Sequence, residues 1–373
     1  MEAHVQRHFR TAGRTVGRNG GRRVACLVCA WGCAWAGLFL SPRAQAQMPP
    51  IPIPREISTA LREKARFAAA DLDQLASGQV IVRTEVSREN LEAAVVAAVG
   101  VRTAKDRALA YFRQILSFED GEVTLRFGLF STPPTLADVA RLTLDGTTLE
   151  DLRSCRPRDC GVRVGAQGAA DFARAIDWRA PDAAERATDR ARQALVAYAG
   201  AYLARGDAAL ITYDDRSEPV SLHGSWRSIV ERSPALAAYA PALERHLIEF
   251  PGAALPGATD EVYWDQQHLT ALKTITGITH LVTWRDPDRP NRAVVAQKQI
   301  YASHYFYGSL ALTSFVEDAG EPQRPVTWMI YFNRSRGDLL KGGFGGLRQR
   351  AAESAIRDSA EALLGAMKRE LER

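Results

Sequence analysis

Cys155 and Cys160 enclose Arg-Pro-Arg-Asp, and no other cysteine follows residue 33. In an oxidising compartment two thiols this close pair, and Pro157 between them favours the tight turn a bridge needs. The plain reading is a staple on one loop. The spacing differs from the C-x-x-C of redox-active dithiols. A haem attachment would need His where Gly161 stands. A zinc site would need two further ligands, and no histidine lies within 60 residues of the pair.

Glu261, Asp265 and His268 form the densest acid–histidine group in the sequence. On a helix, positions i, i+4 and i+7 share one face, so the three could hold a metal or pass protons. Charged faces at this spacing are common on solvated helices, which is the plainer reading. His246 and Glu249 make a similar, weaker pair. No His-Glu-x-x-His occurs.

His304 belongs to a different pattern. Lys298, Ile300, Ala302, His304, Phe306, Leu310 and Leu312 alternate along residues 293–316 and would share one face of a long strand. His280, with Val282 and Trp284, would stand on a preceding strand close by. A histidine among apolar inward residues is a satisfied core group or a polar contact in a ligand cavity. His304, His280, Lys298 and Phe306 are therefore the candidate ligand-binding residues.

Two other motifs fail on inspection. Gly342-Gly343-Phe344-Gly345-Gly346 precedes a helix but lacks the Gly-Lys-Ser/Thr of a phosphate loop. His223-Gly224-Ser225-Trp226 is similar to oxyanion loops, yet no G-x-S-x-G nucleophile elbow accompanies it. No cofactor is implied.

The elements that must position these residues follow from periodicity. Residues 57–75 read as an amphipathic helix through Leu61, Ala65, Ala68, Leu72 and Leu75, and 103–115 as another. Residues 79–86 and 123–130 alternate like strands, while 91–101 fits either state. Residues 170–250 read as helical, with Pro181 at an N1 position and starts at Ser221 and Ser233-Pro234. From Ile278 the pattern turns to strands, at 278–284, 293–316 and 326–333. An alanine-rich helix over 347–371 closes the chain.

The N-terminus sets the compartment. Arg7, Arg10, Arg14, Arg18, Arg22 and Arg23 precede an apolar run over 24–40, and Ala44-Gln45-Ala46 follows. This order of charge, apolar run and small-residue site reads as an export signal over 1–46. It predicts a periplasmic or secreted protein, with membrane contact only through that segment if it stays uncleaved. The whole chain is net +5, whereas 47–373 carries 41 basic and 42 acidic residues, net −1. Nucleic-acid binding needs a basic surplus and is excluded on that ground.

Two resemblances bear on the fold. Leu142, Leu144, Asp145, Asp151, Leu152, Cys155, Pro157, Asp159 and Cys160, with segments 297–313 and 331–338, resemble a group of uncharacterised exported bacterial proteins. That likeness implies a compartment but no mechanism. A strand, the helix 103–116, antiparallel strands and the final helix 347–371 come in an order similar to the helix-grip fold of START-type lipid-binding domains. It implies an apolar cavity enclosed by the sheet's concave face and the last helix, with His304 in it.

The expected architecture is α+β. An antiparallel sheet with a long C-terminal helix is interrupted by a large helical insertion. One mature unit spans 47–373, divided into an N-terminal part (47–165), the insertion (166–272) and the strands with the closing helix (273–373). The expected function is binding of a lipid or other apolar small molecule. The alternatives are an envelope hydrolase or metal-dependent enzyme, and a non-catalytic envelope protein acting through surface contacts.

Overall fold

The computed structural model describes residues 50–87, 91–116, 124–268, 272–318, 320, 323–338 and 345–373. The expected export signal lies outside the described residues, as do Gly342, Gly343 and Phe344. Eight strands form one antiparallel sheet: β1 (Ile81–Ser87), β2 (Glu92–Val101), β3 (Thr124–Leu129), β6 (Ala258–Gln267), β7 (Ile275–Arg285), β8 (Arg292–Ala302), β9 (Phe306–Asp318) and β10 (Val326–Gly337). β4 (Thr212–Tyr213) and β5 (Val220–Ser221) pair separately. The sheet order is β1-β2-β10-β9-β8-β7-β6-β3, so the N-terminal hairpin extends one edge of a C-terminal meander and β3 extends the other.

Strand alternation sorts side chains to two faces. Odd-numbered residues of the central strands, among them Val95, Val99, Leu281, Val295, Phe315 and Met329, join one core. Helices α3 (Lys105–Leu116) and α10 (Gly345–Leu371) close it through Leu109, Phe112, Leu364 and Met367. Phe112 meets Phe315 edge-on at 5.6 Å. The end of α10 is pinned as well, because Lys368 Nζ donates to Gly100 O at 2.9 Å. The α+β sheet with its long C-terminal helix is thus as expected.

The opposite face carries the remaining helices. α1 (Arg55–Ala65) and α2 (Ala69–Ala76) pack Ile57, Leu61 and Leu75 on Ala98 and Trp328. The insertion supplies α4 (Gly146–Ser154), α5 (Ala166–Ala175), α6 (Ala183–Arg205), α7 (Leu222–Glu231), α8 (Pro234–Tyr239) and α9 (Pro241–Glu249). α6 lays Leu195, Ala199 and Tyr202 on Val262, Trp264, Ile278 and Ile300. α7 to α9 lay Trp226, Leu243 and Leu247 on Val282, Val294 and Leu310. Ser221 caps α7 by accepting from Gly224 N at 3.1 Å. Among the described residues no helix is long and apolar enough to cross a membrane.

Three local expectations need correction. The helix expected over 57–75 is two helices, because Arg66 takes a left-handed φ of 57° and ends α1. The strand expected over 293–316 is the hairpin β8–β9, reversed at Ser303–Tyr305, where Tyr305 has φ 62°. Residues 258–267, expected inside the helical insertion, form β6. The strand-favouring run Val262-Tyr263-Trp264 is paired on both edges, with β7 and with β3.

That last correction dissolves the expected acid–histidine helix face. On a strand Glu261 and Asp265 point to one side and residue 268 to the other. Glu261 pairs with Arg113. Asp265 is buried, and burial pushes its carboxyl up to about 6 against a hydrogen bond from Gln267. His268 is exposed just past the strand end.

Candidate functional site

Polar chemistry gathers at two places on the insertion side of the sheet. The first lies mid-sheet. β6 and β7 pair Val262 with His280, and β7 and β8 pair His280 with Lys298, so both side chains project under α6 and α9. Each is 0% exposed. Water is excluded there, so every polar atom must find a partner in the protein.

Tyr202 from α6 places its hydroxyl 2.9 Å from His280 Nδ1. His280 Nε2 lies 2.8 Å from Asp260 Oδ1, and His246 Nε2 from α9 lies 2.7 Å from the same oxygen. Partial burial raises the Asp260 carboxyl, but the two imidazoles outweigh it and hold it well below the usual carboxylate range. Asp260 raises His246, whereas burial pulls His280 down. Phe250 walls the group, its ring 4.3 Å from that of His280. It can do so because Gly206 has φ 54° and any Cβ there would fall 1.6 Å from Phe250 O.

Lys298 completes this centre. Its Nζ donates to Asp207, in the turn after α6, and to Leu247 O at 2.7 Å. The ammonium stands 4.3 Å from the Trp226 ring. Burial pushes it down to about 8, opposed by Asp207.

The second place is the sheet end, where β8 turns into β9. Ser303 Oγ accepts from Thr276 N at 2.9 Å and lies 2.9 Å from His304 Nδ1. His304 Nε2 is 3.5 Å from Asp151 Oδ2, at the limit of a hydrogen bond. Burial lowers the His304 pKa, with Asp151 opposing. Lys273 Nζ holds Asp151 at 2.6 Å. The Cys155–Cys160 disulfide, Cα atoms 4.3 Å apart, shapes the neighbouring loop. Gly161, just past it, lies so close that a Cβ would sit 2.4 Å from Asp151 Oδ1.

This end opens on a cavity of about 200 Å³ between α4, α5, α6 and the ends of β7 and β8. Leu144, Leu152, Val164, Phe172 and Leu195 make it largely apolar, and Arg163, Thr276 and Ser303 add polar groups. Arg163 is 3% exposed. It pairs with Asp338 at 2.9 Å and lies 4.0 Å over the Tyr307 ring, while its Nε has no hydrogen-bond partner among the described residues. A second cavity of about 200 Å³ lies under α1 and α8. Its guanidiniums are held by carboxylates, Arg292 by Asp286, Arg289 by Glu56 and Arg334 by Glu92. Both cavities face the insertion, on the opposite side of the sheet from α10.

The four expected ligand residues therefore split. His280 and Lys298 are cross-strand neighbours mid-sheet. His304 backs Ser303 at the sheet end, and Phe306 begins β9, half-buried and paired with Gly337. Sequence reasoning missed Asp260, Asp207, Arg163 and the meeting of His246 with His280. The only local signal was His246 on an amphipathic helix, and that offered Glu249, which instead pairs with Arg245. No protein-family model and no curated protein matches the chain.

Proposed function

We propose that this chain is an exported binding protein for a small, mainly apolar molecule with one polar or anionic end, held in the cavity at the sheet end. The observation that carries this reading is the combination of an apolar cavity with a buried guanidinium whose Nε has no partner among the described residues. Leu152, Val164, Phe172 and Leu195 take the apolar part. Arg163, Thr276 and Ser303 receive the polar end. A volume near 200 Å³ lies below the roughly 300–1,000 Å³ of drug-sized sites, so the ligand is small or reaches out between the helices.

Native mass spectrometry of protein purified without detergent, followed by solvent extraction, tests this. The expected result is one apolar molecule per chain, carried or taken up. It is lost when Leu195→Trp fills the cavity and weakened by Arg163→Gln. A chain that takes up nothing, or takes it up equally well with the cavity filled, overturns the reading.

One observation favours a second reading. Ser303, His304 and Asp151 line up as hydroxyl, imidazole and carboxylate, and Ser303 faces the cavity. A neutral imidazole could take the hydroxyl proton during acyl transfer. A fluorophosphonate probe that labels wild type but not Ser303→Ala supports hydrolysis. An unlabelled wild type removes it.

A further inference from the structure

The mid-sheet histidine pair poses a problem in proton bookkeeping. His246 has both ring nitrogens against acceptors, Ala253 O at 2.6 Å from Nδ1 and Asp260 Oδ1 at 2.7 Å from Nε2. A carbonyl oxygen only accepts, so Nδ1 carries the hydrogen. A neutral His246 then aims its Nε2 lone pair at a carboxylate oxygen. A second proton or a cation must lie between them. His280 is compatible with either, because its Nδ1 faces a tyrosine hydroxyl that can accept or donate.

We infer that His246, Asp260 and His280 form a binding site for a divalent transition-metal ion, with zinc the best chemical match. Two imidazole nitrogens and one carboxylate oxygen are borderline ligands of the kind zinc takes. The three ligand atoms all lie within 4.8 Å of one another. Around a tetrahedral ion with ligands at about 2.0–2.2 Å they need to be roughly 3.3 Å apart. The present 2.7 and 2.8 Å must therefore open by about half an ångström.

Asp260 is the member able to give, since its side chain is 29% exposed against 5% and 0% for the two histidines. It is also the route by which an ion enters. The ligands stand on β6, β7 and α9, rigid elements rather than loop tips. The outer ring nitrogen of His246 is already held by a carbonyl, the arrangement that fixes the tautomer of ligating histidines, and that of His280 faces a hydroxyl able to accept from it. Lys298 is the nearby charge opposing a cation, and Asp207 answers it. Three protein ligands leave a fourth position for water or another ligand.

Zn²⁺ titrated into chelator-treated full-length protein, followed by calorimetry, decides the matter. The expected result is one Zn²⁺ per chain. Asp260→Asn and His246→Gln should each weaken binding at least as much as loss of an outer-shell partner does, about 10- to 100-fold. His268→Gln, at an exposed histidine outside the site, should bind like wild type. Circular dichroism of each variant shows whether it is folded, and Asp260→Asn keeps the shape of the side chain. Failure to bind one Zn²⁺ at 100-fold lower affinity than a micromolar site (about 100 µM), or equal binding by both site variants, overturns the proposal.

Discussion

The two histidine centres of this protein are built from the same parts and are finished differently. Mid-sheet, His280, Asp260, His246, Tyr202, Lys298 and Asp207 form a network in which the ring nitrogens and the ammonium all meet partners. At the sheet end, His304, Asp151, Ser303 and Arg163 leave an imidazole nitrogen and a guanidinium nitrogen without a hydrogen-bond partner among the described residues, beside a cavity. Partner satisfaction separates a charge network that closes on itself, with room only for an ion between its own ligand atoms, from a site with polar atoms left for an organic ligand. A buried polar atom without a partner costs stability unless something else supplies one.

The comparison breaks first at Asp207. Asp207→Ala should cost about 3–5 kcal/mol in chemical denaturation, because it strands a fully buried ammonium. Combining Asp207→Ala with Lys298→Met, which removes both charges of the pair, should be close to neutral; if the single and the double change cost the same, the network is not electrostatic.

Asp265 sharpens the contrast from the other face of the sheet, as a buried carboxylate whose pKa is raised rather than lowered. A raised folded pKa means the stability it contributes is fully present below the unfolded value near 4 and lost as pH climbs through about 6. The loss is at most about 3 kcal/mol. Asp265→Asn should therefore be the more stable protein at pH 7, with a flatter stability profile between pH 4 and 6. A profile parallel to wild type would count against a buried, raised carboxyl.

Cys155→Ser with Cys160→Ser should cost about 2 kcal/mol from the short loop alone. The loss should loosen the sheet end: ligand uptake falls while Zn²⁺ binding stays, because the bridge packs in one cluster with Leu152, Val164 and Phe172 of the cavity wall. Smallest is Asp151→Ala. Its partner Lys273 is 37% exposed, so screening by water limits the loss to roughly 1 kcal/mol or less. Asp151→Ala and Asp207→Ala thus test one chemical change at two burials, read by the same denaturation curve.

Much of the fold was legible locally. The strands at 79–86, 123–130 and 326–333 and the closing helix were written in alternation and in alanine-rich helical spacing. The disulfide followed from two cysteines with four residues between them. Residues 258–267 misled because Asp260, Glu261 and Asp265 suit a solvated helix face as well as a strand. Pairing with β3 and β7 on either side settled the choice. The 293–316 stretch misled because one alternating run and a tight hairpin look alike until the chain reverses at Tyr305.

By itself, then, the sequence determined the kinds of most elements outside 91–101 and 258–267, their amphipathic faces and the one covalent cross-link, because each depends on residues a few positions apart. It named His280, His304 and Lys298 as inward polar groups for the same reason. Only the tertiary structure decided which polar groups meet. Asp260 reaches His280 across twenty residues and His246 across fourteen, Tyr202 reaches His280 across seventy-eight, and Lys298 reaches Asp207 across ninety-one. Strand register and helix packing set those contacts, and burial then turns each into an obligatory partnership by removing the water that would otherwise serve.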